Sequence, residues 1–163
     1  MKKLNLAFFS LTCDEGCSVN FLETLNKKYE EWKDLINFKA FRLIQTREEI
    51  KGIDLALVEG VVSSKEEKMF VKKIRNSCKK LVTVGTCAAS GYPSNVRNYF
   101  DKETLSEIKP ILKRFGSEKK VLLVKNLVKV DDEVLGCPAD EEKIIALIEK
   151  YLKKFGVLDA RRS

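Results

Sequence analysis

The chain has 163 residues, 44% hydrophobic and 34% charged, with a formal net charge of +7, which suits one globular unit with a real core. It contains no histidine, so it lacks the commonest general base, and Ser–His or Cys–His nucleophilic catalysis is excluded within it. The lysines are spread along the whole chain, so the positive charge reads as solvated helix faces, and no nucleic-acid partner is expected.

The opening, MKKLNLAFFSLTCDEGC, has a basic start and a short apolar run. It lacks a small-residue cleavage site, so it reads as a buried strand over 4–11 and not as a signal peptide. Phe21, Leu22, Leu25, Tyr29 and Trp32 follow at helical spacing. INFKAFRLI (36–44) alternates like a strand, and IDLALVEG (53–60) is an apolar run ending in glycine. Ser63 and Ser64 each stand three residues before a glutamate, a doubled capping-box pattern. The helix they start carries Phe70, Val71, Ile74 and Cys78 on one face. KLVTVGTC (80–87) is another buried strand, 88–100 reads as loop, and 103–115 as helix. A strand is expected within 121–130, broken near Asn126. The last helix follows Pro138 and buries Ile144, Ile145, Leu147, Ile148, Tyr151, Leu152 and Phe155, with Gly156 at its end.

The order β-α-β-β-α-β-α-β-α, with near-continuous apolar strands, predicts an α/β fold. A mostly parallel sheet lies between helices in a flavodoxin-like, doubly wound domain spanning 1–157. Residues 158–163 read as a frayed tail. No apolar stretch approaches the roughly 20 residues that cross a bilayer. A cytoplasmic location is expected, where paired cysteines bind metal or do redox work more often than they form disulfides. Abundant Lys and Glu with a single glutamine, Gln45, fits a thermophilic source.

Four of the five cysteines fall at strand-to-helix transitions: Cys13 and Cys17 after the first strand, Cys87 at the end of LVTVGTC, and Cys137 before the last helix. In an open parallel sheet these transitions share the carboxyl edge, where ligands bind. Gly16, Gly85 and Gly136 each lie within two residues of a cysteine and would let backbone approach an inorganic group. Four thiolates without histidine mean tetrahedral zinc or an iron–sulfur cluster. One close pair with two distant single cysteines suits a cluster better than a zinc knuckle, and buried structural thiols are the plain alternative. Cys78, on an apolar helix face, reads as a core thiol.

CDEGCS after the first strand, VEG at 58–60, GTCAASGYP at 85–93 with Arg97–Asn98, and GCP at 136–138 together carry a family resemblance. The sequence resembles the small subunit of nickel–iron hydrogenases, in the superfamily shared with the 20-kDa subunit of NADH:quinone oxidoreductase. The resemblance covers nearly the whole chain. It implies one 4Fe–4S cluster on Cys13, Cys17, Cys87 and Cys137, with no catalytic residue in this chain. The nickel–iron centre would belong to a partner large subunit seated over the cluster edge, and a further iron–sulfur or flavin subunit would exchange electrons with it. Two departures stand out. The first pair is spaced CxxxC where hydrogenases show CxxC, which sets Asp14 and Glu15 beside the site as helix N-terminal carboxylates. The cysteine-rich C-terminal region of longer small subunits has no counterpart here. Glu59, at the same rim, reads as a solvated or capping carboxylate, with a large-subunit contact or proton route as the functional alternative. A cluster subunit of a membrane-associated respiratory-type complex, itself without a membrane span, is a second reading. A zinc-stabilised binding module is a third, from another class.

Overall fold

A computed structural model describes residues 2–158. Five strands form one sheet: β1 (Leu4–Ser10), β2 (Ile36–Phe41), β3 (Ile53–Glu59), β5 (Cys78–Val84) and β7 (Asp132–Val134). A short strand β4 (Val62–Ser64) and β6 (Ser117–Leu122) form a separate antiparallel ribbon. The sheet order is β2-β1-β3-β5-β7, with every neighbouring pair parallel. This is the flavodoxin-like arrangement, in which the order reverses beside β1.

The strands alternate between two apolar layers, as the two-residue period of a pleated strand requires. Leu4, Leu6, Phe8, Leu55, Leu57, Val82 and Val84 face one layer, under helices α1 (Gly16–Lys27) and α6 (Glu141–Lys154). Ala7, Phe9, Ala56, Val58 and Leu81 face the other, under α3 (Lys65–Ser77) and the segment around Val124. Burial on both faces explains why β1 and β3 read as apolar runs.

Several elements differ from the sequence expectation. The first helix breaks at Lys28, and a short α2 (Tyr29–Trp32) buries Trp32 while Tyr29 stays exposed. The second strand ends at Phe41. Cys78 opens β5 instead of closing α3, and it is buried in the second layer as a core thiol would be. β5 ends at Val84, and Cys87 lies in a five-residue helix α4 (Thr86–Ser90). The fifth sheet strand is β7, not the 121–130 stretch. That stretch instead ends β6, and Asn126 closes a 3-10 turn by accepting from the Leu123 N–H. Its apolar residues cover the second layer from outside. The capping box is made by Ser64 and Glu67, while the Ser63 hydroxyl turns to Thr12. In α6 Ile145 is half-buried, as is Phe155 just beyond its end, and the other five expected residues are buried. The last five residues of the expected frayed tail, 159–163, lie outside the described residues.

Candidate metal centre

The carboxyl ends of β1, β3, β5 and β7 are stitched into one platform. The Leu11 N–H donates to the Glu59 carbonyl, and Thr12 bridges to Val61. On the other side, Gly85 N–H donates to Val134 O and Thr86 N–H to Gly136 O, both at 2.8 Å. The Gly136 N–H returns to the Thr86 hydroxyl at 3.1 Å. The loops after β5 and β7 are thereby tied to each other, and so are those after β1 and β3.

Cys13, Cys17, Cys87 and Cys137 all line one cavity of about 120 Å³ on this platform. Asp14, Glu59, Gly60, Val84 and Pro138 are part of its wall. Cys17 is buried in the first turn of α1, Cys13 and Cys87 are half-buried, and Cys137 is exposed, so the cavity opens beside Cys137. Cys78 lines none of it.

Donors from outside the cysteine-bearing turns reach two of the sulfurs. The Ala139 N–H points to Cys17 Sγ at 3.3 Å, and the Ser94 hydroxyl to Cys87 Sγ at 3.2 Å. Neither partner is legible in the sequence; 122 residues separate Cys17 from Ala139. Asn98 holds the Ser94 loop in place: its amide donates to Val121 O and accepts from Val121 N–H. This gives the Arg97–Asn98 motif a structural role through its asparagine.

Gly85 stands directly against the Cys17 side chain. Its φ is +89°, and a Cβ there would stand 2.5 Å from Cys17 Sγ. The glycine-next-to-cysteine pattern thus has a steric basis at this position.

The site is electrostatically demanding. Burial pushes the Cys13 thiol up to about 12, against the opposing effect of the Glu15 N–H and with the Glu59, Glu15 and Asp14 carboxylates adding to the rise. Burial likewise raises Cys17 to about 11, against the opposing effect of the Ala139 N–H. Without a cation these thiols stay protonated; metal coordination reverses that balance by stabilising thiolate directly. Glu59 is buried, not solvated: 1% exposed, it accepts from the Ser10 hydroxyl at 2.7 Å and from the Ser18 N–H at 3.2 Å. It therefore caps the start of α1 from a neighbouring strand. Asp14 accepts from the Gly16 N–H at 3.0 Å, as a helix N-terminal carboxylate does, and Glu15 pairs with Arg42.

Among the described residues, no three cysteines, aspartates or glutamates are arranged to hold a single metal ion. The four thiols surround a space instead of converging on a point. A donor set of four sulfurs around one cavity, with Gly60 and Gly136 presenting bare backbone in its wall, fits a sulfur-ligated multi-iron group.

Residues 13–151 match the family described as NADH ubiquinone oxidoreductase, 20 Kd subunit. The chain belongs to this family. Its relatives include hydrogenase subunits. The delta subunit of sulfhydrogenase 2 from Pyrococcus furiosus is 29% identical over 152 residues, covering 89% of this chain and 60% of that protein. A vhu subunit of the F420-non-reducing hydrogenase of Methanocaldococcus jannaschii is 28% identical, over 79% of this chain and 49% of its own length. The chain thus spans about half to three fifths of these two relatives. Among solved structures, a chain of an NAD+-reducing NiFe hydrogenase in the H2-reduced state shares the fold. Its TM-score is 0.76 over 93% of both chains, at 23% identity.

Proposed function

We propose that this chain is the electron-transfer subunit of a hydrogenase-type oxidoreductase, with one 4Fe–4S cluster held by Cys13, Cys17, Cys87 and Cys137. The observation that carries the reading is that four cysteines from three separate strand-to-helix connections line one cavity. Hydrogenase subunits among the relatives supply the reaction class. A single zinc ion fits less well, because it needs four sulfurs about 2.3 Å from one point.

When bound, such a cluster would supply one-electron exchange. The chain's own residues set the conditions for it. Ser94 and the Ala139 N–H stabilise sulfur in its anionic form by hydrogen bonding. Asp14 and Glu59 place negative charge nearby, which biases the site toward its oxidised form. Val84 and the packed layer behind Cys17 keep water from the inner side. The exposed Cys137 side is the surface a large subunit would cover, bringing the nickel–iron centre in that partner close. A further iron–sulfur or flavin subunit would then exchange electrons with this chain. Among the described residues no helix is long and apolar enough to cross a membrane. A reducing cytoplasmic setting belongs to this reading, since it keeps the four thiols available.

Anaerobic purification of the full chain with iron, sulfide and zinc analysis tests the assignment. About four irons and four sulfides per chain are expected. Cys87→Ala and Cys137→Ala should lose iron, whereas Cys78→Ala should keep it. One zinc without sulfide, or iron loss in Cys78→Ala, overturns the assignment.

A further inference from the structure

We propose that the groove between helix α5 (Lys102–Arg114) and β6 is a docking site for an acidic amphipathic segment of a partner protein. α5 carries Leu105, Ile108, Leu112 and, just beyond its end, Phe115 at helical spacing, yet none of its residues is buried. Thirteen residues make a marginal helix in water, and a proline inside it weakens it further by removing a backbone donor. α5 holds Pro110 in its interior. Such a helix needs packing to hold it, and its main neighbour in this chain is the short strand β6.

The groove is large, about 610 Å³. Leu105 and Leu112 lie in it, and Lys102, Lys109, Lys113 and Lys119 line its sides. No acidic residue lines it; the glutamate on β6, Glu118, is drawn away to Lys68. Among the described residues, none of the four lysines is in an ion pair within 4.0 Å. Four unneutralised ammonium groups around an apolar floor specify the occupant. It must bring apolar side chains for the leucines and carboxylates for the rim.

Other occupants fit less well. A second copy of this chain would bring another net charge of +7 to a lysine rim. A nucleic acid would neutralise the lysines but leave the leucines without an apolar partner. A bilayer surface is flat, and the groove is concave. A helix or strand with apolar residues at helical or alternating spacing and Asp or Glu between them satisfies both parts. The groove shares no lining residue with the four-cysteine cavity, so this inference stands apart from the cluster assignment.

The test uses the full chain expressed in its native host with its natural partners. Ser106, which lies in the groove, is exposed. Ser106→p-benzoylphenylalanine places a photo-cross-linker there, and adducts are sequenced by mass spectrometry. A second version adds Lys109→Glu and Lys113→Glu, with its fold checked by circular dichroism and its iron content measured in the same sample. The expected adduct is one protein segment with acidic residues between helically or alternately spaced apolar ones. Its yield should fall at least about tenfold on charge reversal. A neutral or basic segment, a lipid or nucleic-acid adduct, a self-adduct, or no adduct overturns the proposal. So does an adduct whose yield ignores the charge reversal. Retained iron alongside any of these leaves the cluster assignment standing.

Discussion

Gly85 and Gly52 form a matched pair of probes. Both have positive φ, but a Cβ at Gly52 meets nothing within 4 Å, whereas one at Gly85 meets Cys17 Sγ at 2.5 Å. Gly52→Ala should therefore cost about 1 kcal/mol through backbone strain and leave metal content unchanged. Gly85→Ala should cost on the order of 1–3 kcal/mol and also lower iron content, because Cys17 must move. Equal iron content in the two variants, measured per folded chain, would show that Gly85 does not shape the site through Cys17. Glu59 supplies a second test. Glu59→Gln keeps an acceptor for Ser18 N–H and Ser10 Oγ but removes a buried negative charge. A higher reduction potential is expected in a titration followed by electron paramagnetic resonance, since the reduced form is more negative. An unchanged or lower potential would mean that this carboxylate does not act on the site. The four cysteines were legible because thiols are rare and glycine marks turns. The burial of Glu59 was not, because it depends on Ser18, which lies 41 residues away.

At the scale of elements, legibility followed length and apolar content. β1 and β3 are seven residues each and buried almost throughout, so their runs stand out. β7 is three residues, Asp132–Val134, two of them acidic, and hydrophobic periodicity does not separate that from loop. What holds β7 at the sheet edge is a polar clasp just before it. Asp131 accepts from Lys80 at 2.7 Å, Arg75 at 2.8 Å and the Leu81 N–H at 3.0 Å. Burial alone would raise its pKa, but Lys80, the Leu81 N–H and Arg75 outweigh it and hold the carboxyl at about 2, below its ordinary 3.8. The folded state favours the ionised form, so the clasp contributes fully above the unfolded pKa and is lost as pH falls through the folded one. Denaturant titrations should show a loss of order 1–2 kcal/mol between about pH 4 and pH 2. Asp131→Asn should be less stable at pH 7 and flatter across that window. If the variant keeps the wild-type acid slope, another carboxylate is responsible. The β4–β6 ribbon escaped for a related reason: its pairing joins Val62 to Leu122 and Ser64 to Ser117, and sequence periodicity carries no such long-range information.

For the molecule as a whole, the sheet places its chemistry at one edge and leaves the remaining faces to packing and contact. Parallel strands end together, so connections distant in sequence meet there, and four of five cysteines lie in those connections or in the first turns of the helices that follow them. The fifth, Cys78, is buried in the second apolar layer. This inventory limits what the chain can do alone. Hydrogen cleavage needs a metal with an open coordination position beside a base. If four cysteines hold one cluster, each iron has its sulfur ligands filled, and Cys78 by itself cannot make a second site. If the proposed function holds, the purified, iron-loaded chain should reduce no dye under hydrogen and gain that activity only when a nickel-bearing large subunit is added. Hydrogen-dependent dye reduction, with iron content confirmed in the same sample, is the measurement. Sustained turnover by the single chain would place the catalytic metal here and break the division of labour between subunits. The opposite result, activity restored with the large subunit and lost again in Cys137→Ala, would tie the electron path to the exposed mouth of the four-cysteine cavity.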